Sequence, residues 1–219
     1  MAAATQDKEL NTVVRQQQGQ TCAVRSGKGY LFVKRTLDIL VSFVTGMLLL
    51  IPILVIACLI KLDSEGPAFF CQERLGLNGK PFVMYKFRSM VLDAEVNGPC
   101  WAEKDDDRCT RFGRILRKTR LDELPQLLNI FLGQMSLVGP RPERACFYDQ
   151  FETYIPHFRK RLLVKPGLTG HAQVNGGYDL LPEEKIVYDL EYMANRSIKM
   201  DFQCIVKTIA VVFTQNGAR

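Results

Sequence analysis

The sequence is poor in the residues that most often mark catalysis by side-chain pairs or metal cages. It has two histidines, His157 and His171, far from any partner motif, and one tryptophan, Trp101. No two of its seven cysteines form a C-x-x-C pair, and the odd number argues against a disulfide framework or a zinc site and for reduced thiols. There is no internal repeat. Residues 1–29 contain no apolar core or cleavage pattern of a secretory signal. They are polar, with Gln16 to Gln18, Gly19, Ser26, Gly27 and Gly29, and are expected to form a flexible arm. No nucleic-acid-binding motif accompanies the net charge of +6, so a role as a basic nucleic-acid binder is remote. The charge instead fits an anionic lipid surface or a phosphorylated substrate.

Apolar residues are abundant, at 47% of 219 residues with a mean hydropathy of -0.03. They are unevenly spread. Between Asp38 and Lys61 lie 22 uncharged residues, about 33 Å as a straight helix and enough to cross a bilayer core. Lys28, Lys34 and Arg35 before this run place its N-terminal flank on the cytoplasmic side. The remainder of the chain carries five of the seven cysteines and a cation-rich segment that suits cytoplasmic phosphorylated substrates. Both ends therefore favour one side. Pro52 offers a resolution, because a proline inside a helix removes a hydrogen bond and clashes with the carbonyl four residues back. The sequence leaves a span and a re-entrant helix broken at Pro52 both open. Lys34, Arg35 and Asp38 at the entry point are candidates for a lipid phosphate.

After Gly66-Pro67 the pattern is that of an α/β domain. FFCQERL and KPFVMYKF are β-prone runs, with Gly76, Asn78 and Gly79 marking a hairpin turn between them. Lys86 and Arg88 fall at a period of two, on one strand face, as a candidate phosphate clamp. Residues 93–110 read as a polar loop in which Asp105 to Asp107 form a solvated acidic turn. Arg111 to Lys118 read as a short helix with Phe112, Ile115 and Leu116 on one face and cations around it, the pattern of a helix in the headgroup layer. Arg159, Lys160, Arg161 and Lys165 fit an anionic surface, and Lys165 to Gly170 can present backbone N–H groups to an anion. Residues 202–214 are apolar but too short to span, so they are a core helix or an interfacial one.

The densest chemistry lies in Arg117 to Glu143. Arg114, Arg117, Lys118 and Arg120 surround Thr119, Asp122 and Glu123 follow as adjacent carboxylates, and Pro140 and Pro142 flank Arg141. Cations hold phosphates, and paired carboxylates hold a divalent ion or attack phosphorus.

Five motifs occur in order: KRTLDI at 34–39, YKFRSM at 85–90, RKTRLDELPQ at 117–126, SLVGPRPE at 136–143 and KPGLTGHAQVNG at 165–176. With them the chain, from about Tyr30 onward, resembles the bacterial sugar transferases of the polyprenyl-phosphate phosphoglycosyl transferase superfamily, in their small monotopic form. Lys165 and Gly177 stand where similar proteins often have arginine. The resemblance implies an α-rich α/β fold with a re-entrant membrane helix over 30–65, interfacial amphipathic helices, a small β-hairpin and a cytosolic catalytic domain over 66–219. It implies transfer of a sugar-1-phosphate from a UDP-sugar to undecaprenyl phosphate, with release of UMP, at the cytoplasmic face of a bacterial inner membrane. It further implies Asp122 as nucleophile through an aspartyl phospho-sugar, and a surface glycan such as exopolysaccharide, capsule or O-antigen as destination. Mg2+ held by Asp122 and Glu123, and phosphate contacts from Lys86, Arg88, Arg117 and Arg141, complete the expected site. Galactose, glucose and N-acetylated sugars are all used by similar proteins, and the sequence names neither the sugar nor an oligomeric state. The alternative class is a non-catalytic membrane scaffold for polysaccharide assembly.

Overall fold

A computed structural model describes residues 27–96, 98, 106–177 and 180–214 of the chain. Trp101, Asp105 and nearly all of the expected N-terminal arm lie outside the described residues. Helix α1 (Lys28–Leu48) starts inside the stretch read as an arm, and is followed by α2 (Leu50–Asp63). The two axes are bent by 62° across Leu49. The proline explains the position of the bend. A straight helix would bring the Pro52 ring against the Leu48 carbonyl and remove the bond between them. The chain breaks there, one turn before the proline. Few bonds are lost, because Leu49 N–H still reaches Thr45 O at 2.9 Å and Ile53 N–H reaches Leu49 O at 2.8 Å. Among the described residues no single helix is long and apolar enough to cross a membrane, although the bent pair taken together is.

The α1 helix has its polarity reversed relative to a surface helix of a soluble protein. Its buried residues are Asp38 and Ser42, whereas Phe32, Leu40, Phe43, Val44 and Met47 are exposed. Ile51, Leu54, Val55 and Leu62 of α2 are exposed as well.

The expected hairpin is present. Strand β1 (Phe69–Leu75) pairs antiparallel with β2 (Pro81–Phe87), and Phe70 lies opposite Lys86. The turn between them is a 3-10 segment in which Asn78 takes φ 57°, a conformation that asparagine tolerates. Next come α3 (Arg111–Thr119), a 3-10 turn over Leu121–Glu123, α4 (Gln126–Phe131) and β3 (Ser136–Val138). Then α5 (Ala145–Glu152), a 3-10 segment Phe158–Leu163, and β4 (Gly167–Thr169) lead to α6 (His171–Val174), α7 (Pro182–Asn195) and α8 (Ile198–Thr214). Strands β3 and β4 pair in parallel.

Four apolar clusters hold these pieces together. The first gathers Tyr148, Phe151, Phe158, Leu162 and Ile186, which joins α5 and α7. Another puts Ile56 and Ile60 of α2 against Phe87 and Leu116, so the second half of the bent pair packs on the hairpin and α3. In α3, Leu116 is buried and Phe112 half-buried in that cluster, while Ile115 faces outward. The three apolar residues thus divide between core and surface rather than forming one membrane-facing stripe. Helix α8 is two-faced, with Asp201 and Cys204 inside and Phe202, Val206 and Ile209 outside.

The Lys165 to Gly170 loop has another use than the anion cradle read from sequence. Gly167 N–H bonds Pro140 O at 2.9 Å, and Gly139 N–H bonds Thr169 O at 2.9 Å. A Cβ on Gly139 would stand 2.4 Å from Lys165 O, and one on Gly167 would stand 2.1 Å from Gly139 N. The glycines let two backbones touch, and the contact fixes the loop that carries Arg141.

Candidate active site

Asp122 and Glu123 sit on the 3-10 turn between α3 and α4. Thr110 caps the start of α3 by accepting from Gly113 N–H at 3.0 Å, and the helix ends at Arg120. Pro125 then occupies the N-cap of α4. Only a tight turn fits between these two punctuation points, and it buries both carboxylates, each less than a tenth exposed.

Two cations from distant parts of the chain meet them. Lys86 Nζ on β2 lies 3.2 Å from Glu123 Oε1 and 3.9 Å from Asp122 Oδ2. Arg141 forks onto Glu123, with Nη2 on Oε1 and Nη1 at 3.5 Å from Oε2. The pair is therefore asymmetric. Glu123 is gripped by both cations, and among the described residues the cation contact shown for Asp122 is the longer one to Lys86.

Electrostatics follow the geometry. Burial raises the Asp122 pKa to about 6, with the Glu123 charge adding to it and Lys86 only partly offsetting it. Burial acts on Glu123 too, but Arg141 and Lys86 outweigh it and hold this carboxyl well below the usual range. A buried, weakly paired carboxylate is a better nucleophile than one locked in a salt bridge. The two adjacent carboxylates thus sit in unlike environments: Glu123 is held charged by two cations, and Asp122 is more weakly paired.

The carboxylates lie on the wall of a cleft of about 430 Å3. Arg74, Lys86, Arg88, Arg108, Arg117, Arg120, Arg141, Arg161 and Lys185 line it against Glu95, Asp122, Glu123, Glu143 and Asp189. Among the described residues nine cations face five carboxylates there, a positive balance that suits an anionic ligand. Phe69, Phe70, Val91 and Leu92 give the same cleft an apolar side, and all four are exposed.

The remaining expected residues divide. Arg117 lines the cleft near the pair. Arg88 lines it too, but its guanidinium donates to Glu65 O and, at 2.7 Å, to Ser64 O. It caps the end of α2, so this guanidinium, although on the cleft side with Lys86, already serves backbone carbonyls of the chain. Lys34, Arg35 and Asp38 have protein partners, a different use from the expected lipid headgroup. Lys34 pairs with Asp201 at 2.8 Å. Arg35 donates to Ile130 O and Phe131 O at 2.7 Å each, capping α4. Asp38 accepts from Ser136 Oγ at 3.1 Å and Leu137 N–H at 2.9 Å. These bonds clamp α1 to the turn-bearing part of the molecule.

Arg161 escaped the sequence reading. It is not a surface cation but is 3% exposed, 2.7 Å from Asp189 Oδ2, and its Nη2 donates to the Arg141 carbonyl at 3.0 Å. Its guanidinium lies over the Phe158 ring at 4.7 Å. The signal was in α7: Ile186, Asp189 and Met193 share one buried stripe, and a carboxylate on such a stripe requires a partner.

Among the described residues no three His, Cys, Asp or Glu side chains converge as a metal cage. The donor set present, two adjacent carboxylates beside a cationic cleft, fits a magnesium ion, which is usually held by one or two carboxylates together with substrate phosphates.

The site predicts a stability effect that changes with pH. With EDTA present, folded Asp122 keeps its proton up to about pH 6, whereas an unfolded aspartate loses it near 3.9. The folded chain therefore binds more protons in that window, and stability contributed by this group falls as pH rises through it. Asp122→Asn should raise the melting temperature at pH 8, where a buried charge is removed, and raise it clearly less at pH 4.5, where the folded carboxyl is still neutral. Differential scanning fluorimetry at the two pH values checks this, and a gain of the same size at both would contradict it.

The family described as bacterial sugar transferase matches residues 29–215. The chain is 44% identical over 193 residues to UDP-N-acetylgalactosamine-undecaprenyl-phosphate N-acetylgalactosaminephosphotransferase of Aeromonas hydrophila, covering 87% of this chain and 46% of the relative. It is 43% identical over 196 residues to UDP-glucose:undecaprenyl-phosphate glucose-1-phosphate transferase of Xanthomonas campestris pv. campestris, covering 86% of this chain and 40% of the relative. It thus spans less than half the length of both. With the exopolysaccharide production protein PSS of Rhizobium leguminosarum bv. phaseoli the match is 43% over 195 residues and covers 84% of this chain and 97% of the relative. The ordered motifs, the carboxylate turn they build and the match across nearly the whole described chain lead to one conclusion: the chain belongs to the bacterial sugar transferase family.

Proposed function

We propose that this chain is a phosphoglycosyl transferase that moves a sugar-1-phosphate from a UDP-sugar to undecaprenyl phosphate and releases UMP. The observation that carries the reading is the asymmetric Asp122–Glu123 pair in a cationic cleft that has an apolar side. A diphosphate needs the cations, and a lipid acceptor needs apolar surface beside them. The names of the relatives support the substrate classes.

In the first half-reaction an Asp122 carboxylate oxygen attacks the sugar-linked phosphorus. The bond from that phosphorus to the bridging oxygen breaks and UMP leaves, so the enzyme carries an acyl phospho-sugar. In the second, an oxygen of the lipid phosphate attacks the same phosphorus, a diphosphate bond forms and the Asp122 carboxylate is released. Splitting one displacement into two is the general logic of covalent catalysis. Lys86, Arg117 and Arg141 offset the charge of the two phosphates that meet here. Glu123 keeps Lys86 and Arg141 in place. Asp122 and Glu123 would hold magnesium together with substrate oxygens, and the ion would neutralise phosphate charge and polarise phosphorus.

The bent α1–α2 pair enters one leaflet and returns to the cytoplasmic face of a bacterial inner membrane. Its exposed apolar residues and the inward polar stripe of Asp38 and Ser42 support this placement. The product would be the first membrane-bound intermediate of a surface glycan such as exopolysaccharide.

The test uses the full chain in detergent with undecaprenyl phosphate, magnesium and a panel of UDP-sugars. UMP should appear with at least one UDP-glucose, UDP-galactose or N-acetylated donor, EDTA should stop it, and added magnesium should restore it. Release of UDP instead of UMP would mean glycosyl rather than phospho-sugar transfer and would overturn the reading.

A further inference from the structure

We propose that Asn129 is a positioning residue for the reaction: its side-chain amide locks the strand that carries Lys86 to the helix that leaves the Asp122–Glu123 turn. Among the described residues β1 and β2 form a two-stranded sheet, so one edge of β2 has no strand beside it. Helix α4 packs there, with Leu127 and Ile130 against Phe82 and Met84. Backbone groups on an edge that a helix covers need partners. Asn129, on α4 and 0% exposed, supplies them. Tyr85 N–H donates to Asn129 Oδ1 at 3.0 Å, and Asn129 Nδ2 donates to Val83 O at 2.7 Å. A side-chain amide carries the donor and acceptor of a peptide unit, so one residue stands in for a third strand. Asn129 is itself held in place. Its Nδ2 also donates to Gln134 Oε1 at 2.7 Å, and its backbone carbonyl accepts Gln134 N–H at 3.0 Å and Met135 N–H at 3.2 Å.

The consequence lies one residue further along the strand. Lys86 follows Tyr85, and its Nζ lies 3.2 Å from Glu123 Oε1 and 3.9 Å from Asp122 Oδ2. Those carboxylates sit on the turn that runs through Pro125 into α4. The lysine and the carboxylates are thus carried by two separate elements, and their distance depends on how β2 is set against α4. Apolar contact is non-directional and lets a strand slide along a helix. The two amide bonds do not. They fix which part of β2 stands opposite Asn129, and so how far Lys86 reaches. A shift of about 1 Å is enough to cost a hydrogen bond from Nζ to a carboxylate or phosphate oxygen. An ionised aspartate at this position would have no N–H for Val83 O, and a leucine of similar size would serve neither backbone group. The inference rests on the reading of the cleft as the site of phospho-sugar transfer.

The test compares the full wild-type chain with Asn129→Ala, Lys86→Met and the double variant in detergent. UMP release is measured with magnesium, undecaprenyl phosphate and a UDP-sugar that the wild type uses, and melting temperature is measured alongside. Lys86→Met should lower kcat/KM about a hundredfold. Asn129→Ala should lower it about tenfold, through a displaced lysine. In the Lys86→Met background Asn129→Ala should cost no more than about twofold, since no lysine is left to place. Its melting temperature should fall by the same amount in both backgrounds. Asn129→Ser, which fills part of the space, goes through the same cycle with the same expectation, so a poorly folding alanine variant does not end the test. Gln134→Ala removes a bond to Asn129 that does not touch β2, and should melt lower yet keep kcat/KM within about twofold of the wild type. A further tenfold loss in the Lys86→Met background would mean general destabilisation and would overturn the inference alone, as would wild-type kcat/KM in the Asn129 variants or an equal loss in Gln134→Ala. A wild-type chain that releases no UMP would overturn the transfer reading of the cleft and this inference with it.

Discussion

Asp122→Asn is expected to lower turnover by about four orders of magnitude or more, the scale on which loss of a covalent nucleophile is felt. The amide fills the same space on the Leu121–Glu123 turn and leaves the Lys86 and Arg141 contacts to Glu123 in place. Substrate binding should survive, so the loss should fall on kcat more than on KM. Glu123→Gln should fail differently. It leaves two half-buried cations, Lys86 and Arg141, without this carboxylate and frees both to move away from where phosphate needs them. Its KM for the UDP-sugar should rise along with the fall in kcat. Initial-rate measurements on both variants separate the roles, and wild-type UMP release by Asp122→Asn would remove Asp122 from the chemistry.

The largest stability effect is expected at Asp189→Ala. Asp189 and Arg161 are 1% and 3% exposed and joined at 2.7 Å. The pairing holds the Arg161 guanidinium charged; at Asp189 burial outweighs the pull of Arg161 and raises the pKa. The contact on Nε, with Nη2 serving the Arg141 carbonyl, favours the ionised pair. Removing the carboxylate leaves an uncompensated buried cation, a loss of about 3–5 kcal/mol. For a domain of this size that lowers the melting temperature by roughly 10 °C. The double variant Asp189→Ala with Arg161→Met should recover much of the loss, because no lone charge remains. It should not recover activity fully, since the Arg141 carbonyl has lost its donor. Thermal melts and UMP assays on the single and double variants check both halves, and a single variant that melts within a degree or two of the wild type would contradict the role given to the pair.

What could be read from the chain was local. The hairpin was legible because FFCQERL and KPFVMYKF flank a turn with Gly76, Asn78 and Gly79, and local propensity and pairing agree there. The break near Pro52 was legible because a proline ring acts on its own helix, and the bend falls one turn before it. Asp122 and Glu123 were legible only through the ordered motifs around them, because an Asp-Glu step by itself reads equally as ordinary helix-start carboxylates. What failed was anything decided by a partner far along the chain. Lys34 and Asp201 are 167 residues apart, and nothing near Lys34 distinguishes a bond to that carboxylate from one to a lipid phosphate. Arg88 shared a strand period with Lys86, but its side chain runs to Ser64, on the end of α2. The glycines of Lys165 to Gly170 resembled an anion nest because that reading and close backbone packing ask for the same residue. Arg161 lay in a basic run beside exposed Arg159 and half-buried Lys160, so its burial could be reached only through Asp189.

The reading of Asp122 as nucleophile is tested most directly by incubating the full chain with its UDP-sugar and magnesium, with no lipid phosphate, and measuring UMP and the intact mass together. The account predicts a burst of about one UMP per active enzyme. The mass should rise by one phospho-sugar, mapped to the peptide bearing Asp122 and absent from Asp122→Asn. No UMP until undecaprenyl phosphate is added, with the mass unchanged throughout, would mean direct transfer between the two substrates and would contradict the covalent role of Asp122.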